Sequence, residues 1–269
     1  MLSETNTIFN ASSIDSHLVN QEIDKNGFII VENVLSPDFI KRIKSELEMA
    51  IAKEVEYHKT TDYKDYGMVI LCALYGGSFL TLFDNNIITL PFNSVLGEGC
   101  IVYAYTSSSM PPNKSNYSNR IHVDCPRIIP NYITNMGATI LLDDFTVENG
   151  ATWFLPKSHT MSEPPSEEFF YKNAQRVIAP AGSVWFFNAR LWHAGGNNTT
   201  PNWRHAVTLN VCRPFMKQRI DIPRALEKID MTNASEIIKQ KLGFYAQVPA
   251  SLDEYYLPAD KRKFKQKAE

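Results

Sequence analysis

Among the 269 residues, a few have the side chains and the spacing to hold a metal ion. The run Arg120-Ile121-His122-Val123-Asp124 offers an imidazole and a carboxylate two positions apart, and Leu191-Trp192-His193-Ala194-Gly195-Gly196 offers a second imidazole farther along. On an extended strand, residues i and i+2 face the same side, so His122 and Asp124 are predicted to point at one place while Val123 packs behind them. Two neutral imidazoles and one carboxylate on one face suit Fe(II) and leave half of its octahedral positions open. Beyond His193 comes Arg204, just ahead of the strand-like run Val207-Thr208-Leu209-Asn210-Val211. A guanidinium grips a carboxylate through two parallel hydrogen bonds, so Arg204 is the candidate anchor for an acidic co-substrate beside the metal.

Other residues read more plainly. His159 closes Pro156-Lys157-Ser158-His159 and fits a turn or packing role, while His205 should face away from Arg204 and reads as structural. His17 and His58 lie in charged, helical surroundings. Arg120 and Arg127 flank the His-x-Asp pair, with a surface ion pair as the simple reading and a substrate contact as the other. Tyr103, Tyr105, Trp153, Phe187 and Trp192 are candidates to line a pocket or fill a core.

The elements that must position these residues can be read from periodicity. Ile14, Leu18, Val19 and Ile23 share a helical face within residues 13–26, and Gly27 is a natural stop before a strand over 28–31. Ser36-Pro37 reads as an N-cap and first-turn proline for a helix with the apolar face Phe39, Ile40, Ile43, Leu47, Ala50 and Ile51. A short helix is predicted from Pro91 to Leu96, ended by Gly97. From Cys100 the texture becomes β, with predicted strands over 101–105, 138–142, 151–155, 177–178, 184–187 and 206–211, separated by turn signals such as Asn149-Gly150 and Ala181-Gly182. Many short strands between turns argue for a closed or doubled β architecture. Two stretches without periodicity, 106–119 and 158–172, read as lid or binding loops, and the chain turns helical again after Phe215.

With these residues in view, the sequence resembles the phytanoyl-CoA dioxygenase family of Fe(II)/2-oxoglutarate oxygenases. The likeness covers about residues 26–215 and includes Gly27-Phe28-Ile29-Ile30-Val31-Glu32-Asn33-Val34-Leu35 and the long segment from Leu141 through Asp143-Asp144 and Glu148-Asn149-Gly150-Ala151-Thr152 to His159. The resemblance implies a mainly β fold with buttressing helices, a double-stranded β-helix (jelly roll, cupin-like). It implies one domain over residues 1–269: N-terminal helices about 13–97, a core about 98–215 and a helical extension about 216–269. It also implies Fe(II), 2-oxoglutarate and O2 as cofactor and co-substrates, with His122, Asp124 and His193 as iron ligands and Arg204 on the distal carboxylate. Many relatives carry a hydroxyl residue at the position of Gly195, and Thr139 or Tyr103 is the candidate replacement donor. Relatives that halogenate lack the carboxylate found here as Asp124, so hydroxylation or a related oxidation is expected. The expected substrate is a small secondary-metabolite or amino-acid-like molecule; an acyl-CoA or carrier-bound substrate is the alternative, and a non-catalytic jelly-roll binding protein the rival.

Bulk properties narrow the field. Lys and Arg number 27 against 29 Asp and Glu, giving a net charge of −2, which does not favour nucleic acid. The absence of a Lys/Arg cluster near the site also tilts against a CoA thioester. The basic run Lys261-Arg262-Lys263-Phe264-Lys265-Gln266-Lys267 reads as a solvated tail. Cys72, Cys100, Cys125 and Cys212 form no C-x-x-C pair, which argues against a zinc site and a disulfide framework and suits the cytoplasm. No secretory signal is read at the start, and no apolar run approaches the ~20 residues that span a bilayer, so no membrane partner is expected.

Overall fold

The structure, a computed structural model, describes residues 7–115 and 117–262. The first six residues and the part of the basic run beyond Arg262 lie outside the described residues.

Among the described residues, nine strands build two facing sheets. They are β1 (Ile8–Asn10), β2 (Phe28–Glu32), β3 (Ile101–Ser107), β4 (Asn135–Leu141), β5 (Trp153–Phe154), β6 (Gln175–Arg176), β7 (Val184–Asn188), β8 (His193–Ala194) and β9 (Ala206–Cys212). The larger sheet runs β1-β2-β7-β4-β9-β3 and the smaller β6-β5-β8. A single bridge, His122 opposite His193, adds the His-x-Asp segment to the edge of the smaller sheet. The result is the jelly roll that the resemblance implied.

Alternation along the large sheet separates two cores. Ile29 and Val31, Val184 and Phe186, Ala138 and Ile140, and Val207, Leu209 and Val211 point outward to the helices. Phe28 and Ile30, Trp185 and Phe187, Leu141, and Ala206 point inward, where Phe154 from the smaller sheet meets them. A strand period of two puts a helix-covered core on one face and a chamber wall on the other.

The outer face is covered by α1 (Ser16–Asn26), α2 (Pro37–His58), α3 (Gly77–Thr81) and α4 (Asn86–Leu96). Asp15 caps α1 by accepting from the Leu18 amide, and Gly27 ends it at φ 83°, a left-handed conformation that suits glycine. Ser36 caps α2 through the Phe39 amide with Pro37 in the first turn, as the sequence predicted. α4 starts earlier than expected, at a cap on Asn85, and carries Pro91 inside it. Ile88, Phe92 and Leu96 recur on one face, and their burial holds the helix through the proline.

The loop expected over 158–172 contains α5 (Glu167–Asn173), capped by Ser166 and pinned by the buried Phe170. The C-terminal part adds α6 (Ile222–Ala225) and α7 (Glu236–Lys241). Lys241 is fully buried, its ammonium bonded to Asn93 Oδ1 at 2.5 Å and lying 2.9 Å from Cys100 Sγ, which ties α7 to the start of β3. All four cysteines are free and buried. Among the described residues, no helix is long and apolar enough to cross a membrane.

Candidate metal centre

His122 and His193 face each other across an antiparallel pair, each amide donating to the other's carbonyl at 2.9 Å. Directly opposed residues project to the same side, and the two imidazole centroids are 4.2 Å apart. The expected strand over His122–Asp124 is absent. Only His122 pairs, after which the chain turns so that the Asp124 and Cys125 amides both donate to the Ala189 carbonyl at 2.9 Å. That turn, rather than strand alternation, brings the carboxylate round.

Asp124 Oδ1 lies 3.7 Å from His122 Nε2 and 3.8 Å from His193 Nε2, and the three ligand atoms fall within 4.8 Å of one another. His122 Nδ1 donates to the Arg120 carbonyl at 2.8 Å and His193 Nδ1 to the Leu191 carbonyl at 2.9 Å. A carbonyl can only accept, so each Nδ1 carries the proton and each Nε2 presents a lone pair to the shared point. Burial, reinforced by the neighbouring His193, lowers His122 to about 4, with Asp124 opposing. His122 is therefore neutral at physiological pH and available as a ligand. The donor set and its anchoring fit a divalent metal.

Beside this cluster, the inner face of the large sheet is built in rungs. Gly137 pairs with Phe187 and Asn210, and Thr139 pairs with Trp185 and Thr208. The His193 ring packs edge-on against Phe187 (5.1 Å) and Trp185 (5.9 Å). The outer end of the Phe187 ring lies against Gly137, where an added Cβ would come 2.1 Å from Cζ. The sequence reading missed Trp185 and the Asn135–Asn210 hydrogen bond of 2.9 Å. Only strand register reveals that both belong to the inner wall.

Arg204 is 1% exposed and lies two residues before β9, bridged to Met110. Its Nη2 donates to the Ser108 carbonyl at 3.2 Å, and the guanidinium stacks 4.2 Å from the centre of the Phe145 ring. Nε and Nη1 have no hydrogen-bond partner. Burial pulls its pKa down to about 9, opposed by Asp143. Asp143 does not satisfy the free donors: one oxygen takes the His205 amide at 2.7 Å and the other pairs with Lys44. Buried polar groups are nearly always paired, so two idle donors on one guanidinium mark a place for an acceptor-rich ligand such as a carboxylate.

The remaining candidates divide. Thr139 is on the inner wall, opposite Trp185. Tyr103 falls at a bulge in β3 between Val102 and Ala104, its carbonyl accepting from Arg219. Among the described residues, no hydrogen bond or ring contact joins Tyr103 to His122, Asp124, His193 or Arg204. Tyr105 points into the outer core and donates to the Phe79 carbonyl at 2.8 Å. Trp153 and Trp192 pack on the outside of the smaller sheet, and of the aromatic candidates Phe187 belongs to the chamber. His159 Nε2 donates to the Asp24 carbonyl at 3.0 Å, and His205 Nδ1 contacts Ser109 Oγ at 3.0 Å; both hold structure. At Gly195 a Cβ would come 2.6 Å from Ser118 Oγ and 3.0 Å from Met110 Cε, so a larger residue there makes those side chains move and crowds the Ser118 backbone at 3.3 Å.

The sequence profile of the phytanoyl-CoA dioxygenase family (PhyH) matches residues 23–206, from α1 to the start of β9. The chain belongs to the phytanoyl-CoA dioxygenase family. It is a dioxygenase that uses Fe(II) and 2-oxoglutarate. The uncharacterized protein Rv1501 of Mycobacterium tuberculosis (strain ATCC 25618 / H37Rv) is 30% identical over 95% of this chain and 96% of its own length. Among solved structures, the non-heme alpha-ketoglutarate-dependent carbocyclase SnoK from nogalamycin biosynthesis aligns with a TM-score of 0.60 and 19% identity, over 76% of this chain and 86% of its own. HygX from Streptomyces hygroscopicus, solved with nickel and 2-oxoglutarate bound, gives 0.57 and 14% over 74% and 87%. These two likenesses carry the fold.

Proposed function

We propose that His122, Asp124 and His193 hold the iron, that Arg204 takes the distal carboxylate of 2-oxoglutarate, and that the enzyme hydroxylates an unactivated C–H bond of a small secondary-metabolite or amino-acid-like molecule, releasing succinate and CO2. The observation that carries this reading is the pairing, within one jelly roll, of three converging ligand atoms with a buried guanidinium whose Nε and Nη1 lack acceptors. When bound, iron and 2-oxoglutarate together supply the oxidising chemistry that an ordinary side chain lacks.

The chain's own part is placement. The Arg120 and Leu191 carbonyls fix both imidazole tautomers, and the Ala189 carbonyl fixes the turn that carries Asp124. Arg204 orients the co-substrate from a dry wall, where its charge-assisted bonds are least screened. Phe28, Phe154, Trp185 and Phe187 keep water from the inner face. Support for a small metabolite comes from SnoK, named for a biosynthetic pathway.

The test is an anaerobic Fe(II)/2-oxoglutarate absorbance spectrum challenged with a metabolite panel, followed by succinate assay in air. A substrate should perturb the spectrum and raise succinate in proportion to oxidised product. No succinate under any condition would assign a binding role instead.

A further inference from the structure

We propose that the indole N–H of Trp185 donates a hydrogen bond to bound 2-oxoglutarate, an inference that rests on the chamber being the co-substrate site. Trp185 is 1% exposed, and its Nε1 has no hydrogen-bond partner. It is not at a frayed edge: β7 lies between β2 and β4, with Ile30 and Thr139 opposite Trp185 on either side. The ring is locked by a stacked contact to Phe187 (4.0 Å, 18°) and a tilted one to Phe154 (5.5 Å). Turning the N–H toward solvent would break this packing. A buried donor held this way without an acceptor carries a desolvation penalty, and an incoming acceptor removes it.

The place of the indole says which ligand. Its edge contact to His193 sets it beside the metal cluster, while the inner-wall cluster to which it belongs also contains Phe145, the ring beneath the Arg204 guanidinium. Trp185 therefore lies on the wall that runs between the candidate metal ligands and the candidate carboxylate anchor. Counting Arg204 Nε and Nη1, that wall presents three buried donors without acceptors. 2-Oxoglutarate carries its acceptor oxygens at its two ends, the keto-acid end and the distal carboxylate, with methylenes between, and the indole, in edge contact with His193 and clustered with Phe145, is placed to meet an oxygen at one of those ends. Trp192 provides an internal control, since its Nε1 is also unpaired but it packs outside the smaller sheet with Leu155, Phe170 and Ala194.

The protein has four tryptophans, so its indole N–H signals can be followed one by one. The probe is 2-oxoglutarate titrated into 15N-indole-labelled full-length protein loaded with Zn(II), with affinity measured by calorimetry on the same sample. The Trp185 signal, assigned by Trp185→Phe or by elimination with single Phe variants of Trp153, Trp192 and Trp203, should move downfield with the calorimetric Kd while Trp192 stays still. Trp185→Phe should weaken 2-oxoglutarate binding by about tenfold or more, the loss expected for a hydrogen bond to a charged group. If 2-oxoglutarate binds the native protein and the Trp185 signal does not move, or moves only when a primary substrate is added, the inference falls and the proposed function stands. If the native protein binds no 2-oxoglutarate, both fall.

Discussion

A histidine is a usable ligand only when its proton is on the other nitrogen, and here two backbone carbonyls two residues upstream impose that on His122 and His193. His122→Ala, Asp124→Ala and His193→Ala should each abolish turnover and bound iron while leaving the far-ultraviolet circular dichroism unchanged; near-native activity with full iron occupancy in any two would refute the assignment. Arg204→Lys keeps the charge but loses the fork, so 2-oxoglutarate affinity should fall at least about tenfold with iron binding little altered. An unchanged dissociation constant would move the anchor elsewhere. As candidates these four residues were legible because the His-x-Asp pair, the later His and the Arg coincide with the family-like segment between them, where the pair alone would have meant little. Trp185, Asn135 and Asn210 were not, because ordinary strand residues acquire meaning only when register decides which face they line.

At the scale of elements, Gly195 shows how a turn can depend on a missing atom. Its amide donates to the Ser118 carbonyl at 2.7 Å, and Ser118 Oγ lies where a side chain would begin. Gly195→Ser should therefore lower the melting temperature of the metal-free protein by the equivalent of about 1–3 kcal/mol, the usual cost of overpacking, and Ser118→Gly in the same chain should recover part of it. Equal melting of Gly195→Ser and the native protein would show that the turn yields freely. The helices α1 and α2 were readable in advance because caps and a 3.6-residue apolar period agree. The strands β5, β6 and β8 have two residues each, too short to alternate, and α5 was hidden because Phe170 is its one buried residue.

Part of the molecule's acid sensitivity lies on the helix side of the large sheet, alongside that of the half-buried His122 and the buried His159. His205 is buried and lowered to about 4 by that burial; Asp143 pulls the other way, and Lys44 and Arg204 add to the lowering. The unfolded chain takes up this proton near the ordinary value of ~6.5, so stability should fall as pH drops from there toward 4 and stay flat above. Melting curves of metal-free protein across that window should show a shallower fall in His205→Gln than in the native chain; identical slopes would exonerate this histidine. The two walls of the chamber also differ in support. The six-stranded wall shares its outer face with the main core, while the wall bearing His193 is made of two-residue strands over a small cluster. A substitution on the first wall is felt by the folding core, and one on the second is felt mainly by whatever the chamber holds. Substitutions in the smaller sheet away from His193 should therefore cost less folding stability than substitutions of the same size in the six-stranded one.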